Sequence, residues 1–471
     1  MWEAGSEKSA SPTAIPIPIP IANTFVGFSI QNPIRRTVDE NPKSRCAQNG
    51  WMFRRKSVTQ ARPSGLEAGT PGKEPVTRRL SNGLRRSFVA FAPSVTAGDA
   101  RRIALIFVVT TALLWALAYA AASVFPENDI PAWHGTTTRA LDVWGHWDSG
   151  HYLVIAREGY KVNPPEPNTP WFPLYPYLVA LVMPVKECQF GAALALSLAC
   201  FLLLLFVLFD LVAPWRGREV ALLAVLYISI FPSALYFRAI YTESLFTLLG
   251  LLAYRAYMRE RYVRCGVFGA LAAMTRLPGV MLLPAFGAAA IWQLARGQRR
   301  FRASMAFIGL TAAGLGAVML IQWRAVGDPL AFLHAVSSSA VHNRRVTLPG
   351  LSLLDDFKFM RLVWDFRTGA NVMPQLIVDD LLVFAGLGGA LYFFRRYGAM
   401  AGLFTLCLLL PPLMSGRTVG LIRYMLPIFW FPVFLAEVGH RRLWFHAFWV
   451  FISSVLLSLY TIWYACWYWA A

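Results

Sequence analysis

Charge is scarce in this chain of 471 residues: 15% are Asp, Glu, Lys or Arg, while 56% are hydrophobic. Soluble domains carry about a quarter charged residues, so a large soluble core is excluded. Cysteine is scarce as well. The six cysteines, at 46, 188, 200, 265, 407 and 466, are scattered, with no CxxC and no histidine at ligand spacing. That pattern gives neither a zinc site nor a disulfide framework. The sequence implies no metal and no cofactor. The first polar loop has no DxD cluster for a nucleotide-sugar metal site; Asp355-Asp356 and Asp379-Asp380 are adjacent pairs without that spacing.

Aromatic residues and positive charge are abundant. With 17 Trp and 33 Phe, the chain reads as a membrane protein. The net charge of +19 raises the possibility of nucleic acid, but its distribution does not. Residues 1–102 hold 16 Lys/Arg and 7 Asp/Glu, hence +9, and most of the remaining excess lies in short loops between apolar runs. Such charge marks topology and contact with anionic lipid rather than nucleic acid. Residues 1–100, rich in Pro, Ser, Gly and Arg, read as a disordered basic tail or an upstream extension from a misassigned start codon. An electrostatic membrane tether is the sharper alternative. The prolines of AIPIPIPIA forbid a helix there.

From Ile103 the composition changes. Apolar runs at about 103–125, 190–213, 219–237, 242–258, 264–278, 279–295, 303–322, 376–394, 399–414, 421–438 and 444–467 predict an all-α polytopic membrane domain over 101–471 with about eleven transmembrane helices. With the N-terminus inside, the inner loops are PWRGRE (214–219), RERYVR (259–264), RGQRRFR (296–302), FRRYG (394–398) and GHRRLW (439–444), and each is basic. This requires WFPLYPYLVALVMPV (171–185), short and carrying three prolines, to be a re-entrant or interfacial helix in the first outer loop.

The same orientation puts five unusual segments outside: WGHWDSGHYLVIAREGY (144–160), FPLYP (172–176), FRAIYTES (237–244), MTRLPG (274–279) and SGRTVGLIRY (415–424). In the first, Trp144, Trp147 and Tyr152 can seat a loop at the interface, with His146 and His151 near Asp148. A carboxylate beside a dry aromatic surface suits a general base, but local sequence favours Asp148 as the cap of a helix over 149–158. Arg276 and Arg423 could bind a lipid phosphate bidentately or snorkel to head groups. Glu243 could bind a sugar hydroxyl or pair with Arg238. The polar stretch 323–375 holds His334, His342-Asn343-Arg344-Arg345 and Asp355-Asp356. Solvated charge explains it as well as substrate contact does.

These segments carry a family resemblance. WDSGHYLVIAREGY followed by FPLYP, then YTESLF, TRLPGVMLLP and IRYMLPIF, resemble in order and spacing the motifs of the PIG-V mannosyltransferases, from about Ile103 to Pro432. Leu277-Pro278 stands where that family commonly has Ser-Asn or Pro-Thr. The resemblance, here to a bacterial member, implies a GT-C-type fold and a polyprenyl-phosphate-linked sugar donor used on the extracytoplasmic face of the inner (plasma) membrane. It maps the family's general base onto Asp148 and its two motif arginines onto Arg276 and Arg423; His151, Tyr152 and Glu243 join those arginines as candidates for donor or acceptor binding.

The expected reaction moves a hexose, with mannose the family's sugar, to a glycan, glycolipid or protein acceptor, with inversion. Inversion needs one displacement and one base. A cation beside the leaving phosphate lowers the barrier without an obligatory metal. The competing reading is a polytopic lipid or sugar transporter or flippase. That would call for paired repeats and mid-span charges, whereas no clear repeat is visible and the charges gather at one face.

Overall fold

The structure is a computed structural model. It describes residues 95–468 apart from 128–134, 137, 162–166, 184–187, 339–346, 349, 352, 354–372 and 416–419. The expected tail over 1–100 therefore lies almost wholly outside the described residues, as do His342, Asn343, Arg344, Arg345, Asp355 and Asp356.

Among the described residues the fold is helical, with no strand. Its principal helices are α1 (Ala97–Val124), α2 (Ser149–Glu158), α3 (Leu174–Val182), α4 (Gln189–Arg216), α5 (Arg218–Ser229), α6 (Glu243–Met258), α7 (Tyr262–Thr275), α8 (Leu282–Ala295), α9 (Leu310–Val326), α10 (Met373–Tyr397), α11 (Ala399–Leu413), α12 (Trp430–Arg441) and α13 (Leu443–Ala465). Each expected apolar run forms a helix. Among the described residues, six helices are long and apolar enough to cross a membrane: α1, α4, α8 and α9 with their preceding 3-10 turns, α10 and α13. The other five of the expected eleven, α5, α6, α7, α11 and α12, have 12 to 16 residues, short of the ~20 needed to span alone.

The short helices are a departure from the expected spans, and proline explains several of them. The run 219–237 does not continue as one helix: α5 stops at Ser229, three residues before Pro232. The run 421–438 splits around Pro427 into a turn at Leu421–Tyr424 and α12. Proline removes a backbone donor and disfavours helix in the residue before it. The irregular stretch 230–242 between α5 and α6 is buried throughout. That is the condition under which non-helical backbone is tolerated at membrane depth. In the described part of the segment, 171–183, the helix is the nine-residue α3, shorter than a span needs.

The basic loops gather at one end of the bundle. Arg218 pairs with Asp99 at the start of α1, and Arg102 reaches Glu219 at 3.7 Å. Arg216 and Arg396 both reach Glu437, at 2.7 and 3.7 Å. Arg255 and Arg259 share Asp210, and Arg302 lies 2.8 Å from Glu260. Glu243 heads the opposite end of α6, about 22 Å from Met258 at a rise of ~1.5 Å per residue. The start of α6 therefore lies a helix length from the basic loops.

Candidate active site

Four polar side chains from four distant segments meet at that opposite end. Glu243 opens α6, where a carboxylate is favoured by the helix dipole. Its Oε1 accepts from Arg276 Nη1 and from Arg423 Nε and Nη2, the latter two at 3.0 and 2.7 Å. Arg423 also donates through Nη1 and Nη2 to Asp148 Oδ2, both at 3.2 Å. Glu243 is 1% exposed, and its Oε2 is a buried oxygen with no hydrogen-bond partner. Two carboxylates and two guanidinium groups thus form a neutral cluster, with Arg423 as its bridge.

Local backbone explains each placement. Arg276 follows the last residue of α7 in extended conformation, φ −154° and ψ 147°. The chain then folds back so tightly that a Cβ on Gly279 would lie 2.3 Å from the Ala272 carbonyl oxygen. Only glycine permits that approach, so the glycine of TRLPG fixes the direction of Arg276. Asp148 follows Trp147, whose φ of +57° is unusual for a bulky residue. Backbone strain of this kind concentrates at functional sites.

Aromatic rings enclose the bridge. The Arg423 guanidinium carbon lies 4.6 Å from the Tyr236 ring centroid and 4.9 Å from that of Tyr241. Arg276 lies 5.4 Å from the Tyr424 ring. Such contacts hold a cation without neutralising it. The Tyr241 hydroxyl accepts from the Asp148 N–H at 3.3 Å and donates to the His146 carbonyl at 3.3 Å. The buried side of the site is therefore tied to the WDSGHY segment through its backbone.

Several alternatives weighed from the sequence fall away. Asp148 occupies the N-cap position of α2, but its side chain makes no capping hydrogen bond; its carboxylate turns to Arg423 instead. Arg238 does not pair with Glu243. It is fully buried and donates to the hydroxyls of Thr111 and Thr110 at 3.1 and 2.8 Å, and to the carbonyls of Ala234 and Ser229. Arg276 and Arg423 do not snorkel, since their side chains are 15% and 11% exposed and face Glu243.

The remaining predicted residues form the surroundings. His151 stacks on Trp171 with ring centroids 3.5 Å apart. The buried Tyr152 hydroxyl lies 3.4 Å from Thr242 Oγ1, and its ring meets Tyr175 edge-on at 5.4 Å. Together they join the first motif to FPLYP and YTES. Asp142 accepts from the N–H groups of Gly135 and Thr136, which holds its own loop. Glu158 is taken up by Lys161 and Arg157, whose hydrogen bonds and charges lower its pKa. His334 pairs with Asp328 at 2.7 Å on the exposed surface. Sequence reasoning passed over Tyr236 and Tyr241 as site residues. Tyr241 lies within the quoted YTES motif, whereas Tyr236 has no local signal.

Residues 101–294 match the family model described as Mannosyltransferase (PIG-V). The matched stretch is under half of the chain, and over it the chain is similar to this family. It takes in Asp148, His151, Tyr152, Glu243 and Arg276 and ends before Arg423. No curated protein matches the chain. Among solved structures it is similar to an oligosaccharyltransferase of Archaeoglobus fulgidus, at 15% identity over 74% of this chain and 53% of that one, with a TM-score of 0.39. It is also similar to ArnT from Cupriavidus metallidurans bound to undecaprenyl phosphate, at 16% identity over 71% and 60%, with a TM-score of 0.43. A third is the archaeal oligosaccharyltransferase AglB in complex with an inhibitory peptide and a dolichol-phosphate, at 12% identity over 75% and 56%, with a TM-score of 0.41. The chain spans somewhat over half the length of the structures it matches.

Proposed function

We propose that this protein transfers a hexose, mannose by family resemblance, from a polyprenyl-phosphate donor to an extracytoplasmic glycan, glycolipid or protein acceptor, with inversion. In this reading, residues 101–471 are a GT-C-type catalytic unit in the inner (plasma) membrane, and the site faces outward. The observation that carries the reading is the convergence of Asp148, Glu243, Arg276 and Arg423 at the bundle end remote from the basic loops.

The chemistry follows from the roles these groups can fill. The acceptor hydroxyl oxygen attacks the anomeric carbon as the bond from that carbon to the phosphate oxygen breaks. The hydroxyl proton passes to the Asp148 carboxylate, and the polyprenyl phosphate leaves as a monoester. Arg276 and Arg423 stabilise the charge that develops on it, because a guanidinium fork matches a phosphate bidentately. Glu243 holds the two arginines together through one oxygen.

The resting cluster adds a constraint. Arg423 is already shared by two carboxylates, so the donor phosphate competes with Asp148 for it. Seating the phosphate draws Arg423 away from Asp148 and leaves its carboxylate oxygens open to the acceptor hydroxyl at the moment a base is required. His151 and Tyr152 shape the sugar and acceptor side of the same opening.

The test is transfer by the purified protein in liposomes. Polyprenyl-phospho-mannose supplied with envelope glycolipid extract should yield an α-mannosylated product, and nucleotide-linked mannose should yield none. Transfer from the nucleotide sugar alone would reject the donor class, and with it the phosphate role of the arginines.

A further inference from the structure

The turn that carries Arg423 cannot hold its own shape. Leu421–Tyr424 is a single helical turn, and one isolated turn is unstable because nucleation fixes several dihedrals for one hydrogen bond. It starts from Gly420 in the left-handed region, φ +84°. The N–H groups at the start of a helix also have no partner within it. Here a carboxylate from another helix supplies one. Asp379, seven residues into α10 and 4% exposed, accepts the Gly420 N–H on Oδ2 at 2.9 Å and the Ile422 N–H on Oδ1 at 3.2 Å.

The position of this carboxylate calls for an explanation. It is the third residue of Ile377–Tyr397, an apolar stretch long enough to cross a membrane, and it is buried, where a carboxylate is costly unless its oxygens are engaged. Both of its oxygens are engaged by the backbone on either side of Leu421, next to Arg423. Carboxylate-to-amide bonds are among the strong ones. The consequence appears one residue on, where the Arg423 fork must reach Asp148 and Glu243 together.

We propose that Asp379 is a positioning residue for Arg423. It clamps the Gly420–Ile422 backbone so that the guanidinium is aimed at the shared site before donor binds. Asp379 does not touch substrate in this arrangement. The proposal rests on the reading of Arg423 as a ligand of the donor phosphate.

Asp379→Asn tests it with little change of shape. The amide keeps one acceptor oxygen and turns a donor toward the second backbone N–H. In the liposome assay, turnover should fall roughly 10- to 100-fold, the scale of a lost hydrogen bond to a charged group, with a raised KM for the lipid-linked donor. In an Arg423→Lys background, whose transfer should be weakened because an ammonium cannot replace the guanidinium fork, the same change should cost less than about threefold, because contacting groups on one path are not additive.

Hydrogen exchange measured on the same proteins reads the clamp without reference to donor. Amides of 420–426 should exchange faster in Asp379→Asn while α6 and α13 keep the parent rates. Unchanged exchange at 420–426, or a full additive loss in the Arg423→Lys background, overturns the positioning role. Full turnover by Arg423→Lys would instead reject the proposed role of Arg423, and the exchange result alone would then decide the clamp. If Asp379→Asn does not accumulate, Asp379→Glu keeps the charge and displaces the carboxylate by one methylene. The same two measurements then apply.

Discussion

Replacing Asp148 with Asn separates chemistry from architecture at this site. The change removes a charge and a base while keeping the side-chain shape. The structural cost is small, for three reasons. Asp148 makes no capping hydrogen bond to α2, and Asn occupies an N-cap position about as well as Asp. Asn retains an oxygen to accept from Arg423, whose charge is still met by Glu243. The carboxylate is 24% exposed, and its two contacts with Arg423 are long at 3.2 Å. The expected loss of stability is therefore about 1 kcal/mol, between the values for exposed and buried pairs.

The catalytic cost is larger. Removing a general base lowers turnover by roughly two to four orders of magnitude, or about 3–5 kcal/mol of barrier at ~1.4 kcal/mol per decade. Purified Asp148→Asn should thus show a near-parent melting transition and turnover reduced at least a hundredfold. The assay is single-turnover transfer from polyprenyl-phospho-mannose at saturating acceptor, beside thermal unfolding in detergent. Turnover within about threefold of the parent would refute the base assignment. Asp148 would then remain only as a partner of Arg423.

Glu243→Gln should lower both measurements. Glu243 Oε1 is shared by two buried guanidinium groups, and removing the charge of a buried pair costs roughly 3–5 kcal/mol. A drop of several degrees in melting temperature is therefore expected with the loss of transfer; an unshifted transition would show that the cluster opens freely to solvent. Orientation can be read from Ser337→Cys in a Cys188→Ser background. Ser337 is exposed near the end of the short helix Ala331–Ser338, and an impermeant thiol reagent should label it in intact cells. Labelling only after permeabilisation would reverse the topology and the outward site.

The sequence by itself determined that the protein is an all-helical membrane protein and named part of its candidate site. Long apolar runs can satisfy their backbone in lipid only as helices, so the helical class and the basic loops between the runs were legible without coordinates, whereas the division into spans and short helices was not. The motif elements around Asp148, Glu243 and Arg276 could be named because their residue types are costly beside a bilayer. Pairing was not legible. Glu243 lies five residues from Arg238, and local spacing favoured that contact. Only the folded chain turns Arg238 toward the Thr110 and Thr111 hydroxyls and carries Glu243 to Arg276 and Arg423, 33 and 180 residues away.

The same holds for Asp148, whose cap position is local while its partner is 275 residues distant. It holds for Tyr236 too, which reaches the site only because α5 stops short before Pro232 and leaves a buried, irregular stretch. Asp379 stood out in the sequence only as half of an acidic pair without a metal-binding spacing. Its engagement with the backbone of Gly420 and Ile422 depends on α10 packing beside that turn. Helix formation obeys local periodicity and the bilayer, so the sequence reveals it. Which charges neutralise one another depends on how helices of different length pack, and that is a property of the tertiary structure alone.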